Sequence, residues 1–265
     1  MVKIIDGRAI ADRVKKEITA DIYQLNGVRP NLAVILVGHR SDSELYVSLK
    51  EKEAKRVGID THVYRLEDNV SEAQLLEVIG FLNKDSLIDG ILIQLPLPVG
   101  FKTDKIIGAL NPLKDVDGFH PRHPDYIVSP VIASVLACLD EISFNGQGKK
   151  ACIFYNSAVF GRGMEQALKT RGFEVSLNSG LKQADVLISS QGVPHQIKKE
   201  MIKEEAILID VGITDVKGRV QGDVDYEDVK DKASFITPVP GGIGPMTIAF
   251  LFKNTLEIFK RRQDK

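Results

Sequence analysis

Two side chains capable of acid–base chemistry lie four positions apart in SDSELYVSLKEKEAKRVGI, residues 41–59. Apolar residues recur at helical spacing in this segment, which predicts a helix with Tyr46 and Lys50 on one face. A phenol can orient a neighbouring ammonium. If both groups are desolvated, it can also help lower the ammonium pKa and produce a general acid or base near neutral pH. Alternatively, the pair is a solvated lysine beside a half-buried tyrosine.

A polar residue ends an otherwise apolar strand candidate in IDGILIQLPLP, residues 88–98. Two prolines closely follow Gln94 and keep the chain extended. Because a polar amide at a buried strand end needs a partner, we expect Gln94 to face a functional group in a cleft. The alternative is a glutamine that satisfies backbone groups of the following loop.

The segment NPLKDVDGFHP, residues 111–121, places two aspartates, a lysine and a histidine between prolines. Asp115, Asp117 and His120 lack the spacing of a calcium loop or of a zinc-binding helix, so no metal site is predicted. A carboxylate that hydrogen-bonds an amino-substituted heterocycle is the better functional interpretation of Asp117.

A glycine-dense loop, TPVPGGIGPMT, occupies residues 237–247, and Pro245 near its end opens a predicted helix. Without side chains on the glycines, ligand atoms can approach the backbone closely. The amide groups at a helix entrance suit an anion or the polar edge of a ring. A purely structural loop between domains is the alternative.

Composition excludes several function classes. The 35 basic and 36 acidic residues are well mixed and give a net charge of −1, which argues against nucleic-acid partners and membrane-surface binding. Two cysteines are too few for a disulfide framework. No apolar run has the length of a membrane span, and the first residues lack the apolar core of a signal peptide. A cytoplasmic protein is therefore expected.

Strand and helix patterns alternate along the chain, which predicts an α/β fold with parallel sheets. In the first half, strands are predicted at 31–38, 61–66 and 88–98, and helices at 41–59 and 71–83; Ser41 with Glu44 and Ser71 are predicted N-terminal caps. The second half predicts helices at 130–142, 161–172 and from 244 onward, with strands at 151–155, 173–177, 184–190 and 206–212. This spacing is typical of a Rossmann-type lobe, and two lobes predict a ligand cleft between them.

Taken together, Tyr46-to-Lys50, QLPLP, KDVDGFHP, GDVDY and TPVPGGIGPMT resemble the bifunctional methylenetetrahydrofolate dehydrogenase/methenyltetrahydrofolate cyclohydrolase (FolD) family. The resemblance runs in order from about residue 3 to the end. It implies oxidation of methylenetetrahydrofolate with NADP or NAD, and hydrolysis of the product to 10-formyltetrahydrofolate. It also implies a homodimer, a folate-binding catalytic domain at 1–120 plus 245–265, and a Rossmann-type NAD(P)-binding domain at 121–244.

The resemblance also implies a role for each matching residue. Lys50 is the acid/base of hydrolysis, Tyr46 assists it and stacks on the substrate, Gln94 tunes Lys50, and Asp117 grips the pterin. The remaining substrate-binding positions are Leu95, Pro96, Pro240, Gly241, Gly242, Ile243, Gly244 and Pro245. The cofactor-binding positions are Tyr155, Asn156, Ser157, Gly161, Ser179 and Ile213.

The predicted cofactor turn departs from the family pattern. Where the family typically has G-R-S, this chain has Tyr155-Asn156-Ser157, so the arginine that reads the 2′-phosphate of NADP is missing. The segment NSGLKQAD, residues 178–185, and VSPVIA, residues 128–133, also differ from the corresponding family motifs. Three hypotheses follow: the full bifunctional enzyme, a cyclohydrolase that has lost the dehydrogenase step, and a non-catalytic folate-binding or partner-binding relic. Any residual dehydrogenase activity is expected to show no strong preference for NADP.

Overall fold

Residues 2–263 are described by this computed structural model and form two compact units. One unit contains the described residues up to Ala11 together with Val131–Thr247. The other contains Asp12–Pro130 together with the described residues from Ile248 onward. Both units are α/β with parallel sheets, which confirms the predicted fold class.

The regular elements alternate for most of the chain. In order they are β1 (Lys3–Ile4), α1 (Gly7–Tyr23), β2 (Asn31–Val37), α2 (Ser41–Val57), β3 (Asp60–Leu66), α3 (Glu72–Lys84), β4 (Gly90–Ile93), α4 (Thr103–Gly108), α5 (Pro130–Glu141), β5 (Lys150–Tyr155), α6 (Ala158–Thr170), β6 (Glu174–Leu177), β7 (Val186–Ser190), β8 (Ile207–Asp210), β9 (Thr214–Val216), β10 (Arg219–Gln221), α7 (Tyr226–Val229), β11 (Phe235–Ile236) and α8 (Ile243–Gln263). Short 3₁₀ helices lie at Leu181–Gln183 and Lys199–Met201.

The unit that begins at Asp12 is built on a three-stranded parallel sheet in the order β3-β2-β4. The central strand β2 is buried from Leu32 to Val37, as its continuous apolar run predicts. Helix α3 begins as predicted at the Ser71 cap: Gln74 N donates to Ser71 Oγ, and Ser71 N donates to the Gln74 side chain. In this unit, helix α2 carries Tyr46 and Lys50, and Gln94 directly follows β4.

The predicted cap of α2 is wrong. Arg40 precedes the helix and makes no capping hydrogen bond through its side chain, and Ser41 is already the first helical residue. The Asp42 carboxylate instead accepts from Ser43 N at 2.8 Å and pairs with Arg40. A negative charge in the first turn interacts favourably with the positive end of the helix dipole, and Asp42 supplies such a charge. Helix α2 therefore begins without a Ser41–Glu44 capping pair.

The other unit contains a six-stranded, all-parallel sheet in the order β1-β11-β8-β7-β5-β6. From β5 the chain first adds β6 on one side and then β7 on the other, so the order of strands reverses between β5 and β7. Strands β1 and β11 have only two residues each, too few for a period-two pattern to predict them. Helix α6 begins at Ala158 rather than at the predicted Gly161.

The two compact units and the predicted domains have different bounds at the amino terminus. The predicted catalytic domain includes residues 1–120, whereas β1 pairs with β11 and the described residues up to Ala11 group with the six-stranded unit. The domain division itself remains a prediction. Among residues 2–263, no helix is long and apolar enough to cross a membrane.

Candidate active site

Helix α2 and strand β4 place a lysine and a glutamine in direct contact. Lys50 Nζ donates to Gln94 Oε1 at 2.8 Å, and Gln94 Nε2 donates to the carbonyl of Leu95 at 2.7 Å. Gln94 directly follows β4 and is only 9% exposed. Its amide therefore has a fixed orientation, with the carbonyl end toward the lysine. Tyr46 lies one turn before Lys50 on α2 and is half-exposed.

The third predicted residue lies on a loop that a buried carboxylate shapes. Asp115 accepts from the backbone N–H of Asp117 at 3.1 Å and from that of His120 at 2.6 Å. Asp115 is almost completely buried, so these contacts hold the loop from inside. The turn that results presents Asp117 close enough to Lys50 for the two charges to interact.

Two further side chains anchor this loop to helices of the same unit. Lys114 is buried and donates to the carbonyls of Leu82 and Asp85 at the carboxyl end of α3, at 2.9 and 2.7 Å. Asn254 on α8 donates to the carbonyl of Val116 at 2.8 Å. The loop is thus fixed on both sides of Asp115. We define the acid–base cluster as Tyr46, Lys50, Gln94 and Asp117.

Burial shifts the ionisation of this cluster toward neutral groups. It lowers the pKa of Lys50, and the charge of Asp117 only partly opposes this effect. Burial raises the pKa of Asp117 to about 7, against the attraction of Lys50 and with added repulsion from Asp115. Burial and the charge of Asp42 raise the pKa of Tyr46. Near neutral pH the cluster can therefore both accept and donate a proton, as general acid–base chemistry requires.

The glycine loop, residues 240–245, belongs to the other unit. Gly241 has a φ of 114°, which favours glycine, and the side chain of Arg8 lies against it. A methyl group at Gly242 would meet the carbonyl of Pro238 at 2.6 Å, so this position also needs glycine. Helix α8 begins at Ile243, and Pro245 is the third residue of that helix. Gly241 to Ile243 are buried and Gly244 and Pro245 are half-buried, so these glycines allow the loop to pack closely where α8 begins.

The nucleotide turn, residues 155–161, runs from the last residue of β5 into the first turn of α6. A methyl group added at Gly161 would collide with the ring of Tyr155, so this ring lies directly on the first turn of α6. The backbone N–H of Tyr155 donates to Asn178 Oδ1 at 2.8 Å. Ser157 precedes α6 without a capping hydrogen bond from its side chain. The tyrosine thus occupies space that a glycine would leave open.

The asparagine of this turn is also engaged. Asn156 Nδ2 donates to the carbonyl of Gln191 at 2.6 Å, and Asn156 N donates to that of Ser190 at 3.3 Å. The side chain is therefore directed across the switch point between β5 and β7. Ser179 donates to the carbonyl of Leu177 at 3.1 Å, and Ile213 is exposed just after β8.

Two family models match the chain: the catalytic domain of tetrahydrofolate dehydrogenase/cyclohydrolase over residues 5–117 and its NAD(P)-binding domain over residues 130–263. The chain belongs to the tetrahydrofolate dehydrogenase/cyclohydrolase family. This confirms the resemblance inferred from the motifs. The bifunctional protein FolD of Aquifex aeolicus is 41% identical in an alignment of 281 positions, which covers 99% of this chain and 97% of that protein.

Solved structures of the family have the same fold. The bifunctional methylenetetrahydrofolate dehydrogenase/cyclohydrolase FolD of Campylobacter jejuni is 37% identical and aligns with a TM-score of 0.94 over 99% of this chain and 100% of that one. The Trypanosoma brucei enzyme of this family, complexed with NADP cofactor and inhibitor, is 31% identical and aligns with a TM-score of 0.92, covering 100% of this chain and 99% of that one.

In this family member, the structure brings together only some of the predicted site residues. Tyr46, Lys50, Gln94 and Asp117 lie in one unit with Leu95 and Pro96, whereas the glycine loop and the nucleotide turn belong to the other. Sequence analysis missed Asp115, which shapes the Asp117 loop, although the repeated aspartate of KDVDG was a signal. It also missed Asn178 and Gln191, the partners of the nucleotide turn. Among residues 2–263, no group of three or more His, Cys, Asp or Glu side chains could hold a metal ion.

Proposed function

We propose that this chain oxidises methylenetetrahydrofolate to methenyltetrahydrofolate with a nicotinamide dinucleotide and hydrolyses the product to 10-formyltetrahydrofolate. Membership of the family and relatives that carry both activities support this assignment. The observation that carries it is the acid–base cluster, in which a half-buried lysine with a lowered pKa is held by Gln94 beside Asp117.

Hydrolysis requires that a proton leave water and that a proton reach a ring nitrogen. Water adds to the methenyl carbon of the cationic substrate, and neutral Lys50 Nζ accepts the proton that this water loses. The protonated lysine then gives a proton to N5 as the carbon–N5 bond breaks, and the second proton of the water goes to solvent. A cationic substrate beside Lys50 lowers the lysine pKa further and so favours the amine that starts the reaction.

The other residues of the cluster orient these groups. The hydrogen bond from Nζ to Gln94 holds the Lys50 nitrogen in position, because the Gln94 amide is itself fixed by Leu95. Tyr46 supplies an aromatic face one helical turn away, on which a flat substrate can stack. Asp117 pairs with the amino edge of the pterin. Leu95, Pro96 and residues 240–245 remain proposed substrate-binding residues.

The nucleotide turn fits a nicotinamide dinucleotide only in part. The start of α6 offers N–H groups without a capping side chain, which suits a phosphate. The Tyr155 ring reduces the space on Gly161, and Asn156 supplies no charge for a 2′-phosphate. Bound nicotinamide would accept the hydride of the oxidation step. Tyr155, Asn156, Ser157, Gly161, Ser179 and Ile213 remain the proposed cofactor residues, without strong preference for NADP over NAD.

A second candidate function is a cyclohydrolase without dehydrogenase activity. The contacts of the nucleotide turn favour it, because binding of the dinucleotide would have to displace the Tyr155 ring or the bond from Asn156 to Gln191. The acid–base cluster disfavours a non-catalytic relic, since binding alone does not require a half-buried lysine with a lowered pKa. The two enzymatic functions differ only in whether a dinucleotide binds and is reduced.

One set of assays separates these functions. Purified protein is mixed with methenyltetrahydrofolate and its hydrolysis is followed by the loss of methenyl absorbance. The same protein is titrated calorimetrically with NAD and NADP, and reduction of each is measured with methylenetetrahydrofolate. Hydrolysis with reduction supports the bifunctional enzyme, and hydrolysis without binding of either dinucleotide supports the cyclohydrolase. Absence of hydrolysis in folded protein refutes the proposed function.

Two expectations from the family resemblance concern the whole molecule. We propose a homodimer, which light scattering at several protein concentrations would test. We also propose a cytoplasmic location, which cell fractionation would test.

A further inference from the structure

A fully buried carboxylate holds the loop that follows β7. Asp223 is 0% exposed and accepts three hydrogen bonds: from Ser189 Oγ at 2.7 Å, from Gln191 N at 2.6 Å and from Val193 N at 2.9 Å. Two of these donors are backbone groups of the loop itself. The path of residues 191–193 is therefore determined by a side chain about thirty residues further along the chain.

A second buried carboxylate holds the loop that follows β8. Asp210, 3% exposed, accepts from the backbone N–H groups of Gly212, Asp223 and Val224 at 3.0, 3.1 and 2.9 Å. Because one of these donors is the N–H of Asp223, the Asp210 carboxylate also holds the backbone of Asp223 in place. The loops after two adjacent strands are thus connected through one buried pair.

Two glycines make this pair possible. A methyl group at Gly212 would collide with the Asp223 carboxylate, and one at Gly222 would collide with the Asp210 carboxylate. The backbone therefore approaches each carboxylate as closely as a residue without a side chain allows. Six hydrogen bonds and two contacts that exclude any side chain specify the shape of this strand edge.

These loops lie at the edge of the sheet where doubly wound folds bind a dinucleotide. In doubly wound sheets, a dinucleotide binds beyond the carboxyl ends of the strands where the strand order reverses, with one mononucleotide half on each side. The nucleotide turn lies on the β5–β6 side of this reversal, and the two loops lie on the β7–β8 side. Asn156 bonds the carbonyl of Gln191, so the turn and the first loop are in direct contact.

We infer that Asp210 and Asp223 are positioning residues for the bound dinucleotide, which hold the loops 191–193 and 211–213 in the shape that receives its nicotinamide half. The inference rests on the proposed function, because it requires that the chain bind a dinucleotide. It assigns dinucleotide recognition chiefly to the β7–β8 side, where the backbone is preformed, rather than to the altered nucleotide turn.

The decisive variant is Asp223→Asn, which keeps size and shape and changes hydrogen-bonding capacity. Whichever way the new amide is turned, the N–H of Gln191 or that of Val193 faces an NH₂ group. Asp225→Asn is the matched control, because Asp225 belongs to the same GDVDY motif but caps α7 and pairs with Lys198. Ser189→Ala removes one hydrogen bond to Asp223 and leaves both backbone bonds intact.

Dinucleotide affinity is measured by calorimetry, loop exposure by hydrogen exchange of peptides covering 190–194 and 211–213, and hydrolysis of methenyltetrahydrofolate as an independent activity. For Asp223→Asn we expect at least tenfold weaker binding of NAD and NADP, a loss of about 1.4 kcal/mol. Exchange should be faster in both peptides, and hydrolysis should stay within twofold. Asp225→Asn should match the unmodified protein, and Ser189→Ala should weaken binding about threefold.

Several outcomes would overturn the inference. Unchanged dinucleotide affinity in folded Asp223→Asn refutes it, as does an equal loss of hydrolysis, which indicates general unfolding. If Asp223→Asn does not fold, unchanged affinity in Ser189→Ala refutes it. Failure of the unmodified protein to bind either dinucleotide also refutes it while leaving the hydrolase intact, whereas absence of hydrolysis in the unmodified protein refutes the proposed function instead.

Discussion

The acid–base cluster and the nucleotide turn both contain polar side chains, but these side chains differ in charge and in hydrogen bonding. Both place polar side chains at or near the ends of parallel strands. In the cluster, the half-buried side chains of Lys50 and Asp117 interact and have perturbed pKa values. At the turn, Asn156 and its neighbour Asn178 bond backbone groups of the same unit, and the Tyr155 ring packs on Gly161.

This difference bears on what each region can do for a ligand. The pKa values of Lys50 and Asp117 are shifted toward neutral pH, so these side chains are suited to exchange protons with a substrate. Neutral groups that already satisfy each other give a ligand less to gain, since it must first displace existing contacts. The comparison therefore predicts strong effects of mutations in the cluster on activity, and gains of function from mutations in the turn.

The largest expected effect comes from Lys50→Met in the acid–base cluster. Removing the proton acceptor should lower the rate of methenyltetrahydrofolate hydrolysis by about 10²–10⁴-fold, the usual contribution of general acid–base catalysis. Folding and folate binding should remain largely intact. The measurement is the hydrolysis rate at saturating substrate, with the exposed neighbour changed in Lys52→Met as control. Hydrolysis at the unmodified rate would remove Lys50 from its assigned role.

The next largest effect is a gain of NADP affinity, expected when the nucleotide turn receives the residues that the family typically has there. Tyr155→Gly with Asn156→Arg should free the space on Gly161 and supply a guanidinium for the 2′-phosphate. We expect NADP affinity to rise about a hundredfold relative to NAD, at about 1.4 kcal/mol per decade. Asn156→Arg alone separates charge from space, because it leaves the Tyr155 ring in place. Tight and selective NADP binding by the unmodified protein would show that another cation, such as Arg162, recognises the phosphate.

Asp117→Ala should weaken folate binding at least tenfold, a loss of about 1.4 kcal/mol. The contact between a carboxylate and the amino edge of a pterin is charge-assisted and typically contributes about 1.5–3 kcal/mol. Calorimetric titration with a folate ligand measures the change, and a variant with the fold retained but unchanged affinity would make Asp117 a structural loop residue.

The smallest effect concerns pH. The pKa of Asp117 is raised to about 7, so the carboxyl is mostly protonated at pH 6 and the charge-assisted contact is lost there. Because the ligand prefers the ionised form, folate affinity should rise about fivefold between pH 6 and pH 7 and then level off above pH 8. Asp117→Ala provides the control, since its affinity should show little change over this range.

The sequence predicted most regular elements because their patterns were long. Strand β2 showed a continuous apolar run, and the Ser71 cap combined with helical spacing located α3. Strands β1 and β11 are two residues long and depend on pairing with distant strands, so no local pattern could indicate them. The cap at Ser41 was mispredicted because Asp42 competes for the same end of the helix.

The sequence identified the chemical groups of the acid–base cluster but not how they are held. Helical spacing indicated that Tyr46 and Lys50 share a face, and the bond from Lys50 to Gln94 joins residues from separate elements. The role of Asp115 could not be predicted, since it depends on a folded turn that brings its carboxylate under two N–H groups. Likewise, only the folded sheet shows that Asp223 and Asp210 hold the loops that follow two adjacent strands.

Each compact unit is assembled from two separated stretches of chain, and this affects the order in which the protein can be completed during synthesis. Asn254 and Arg262, which contact Val116 and Asp89, emerge from the ribosome well over a hundred residues after their partners. The loop that carries Asp117 must therefore wait for α8 before it is anchored on both sides. A premature stop after Thr247 would preserve every strand of the six-stranded sheet and remove most of α8 from the other unit, so the released chain would expose apolar surface to which chaperones bind.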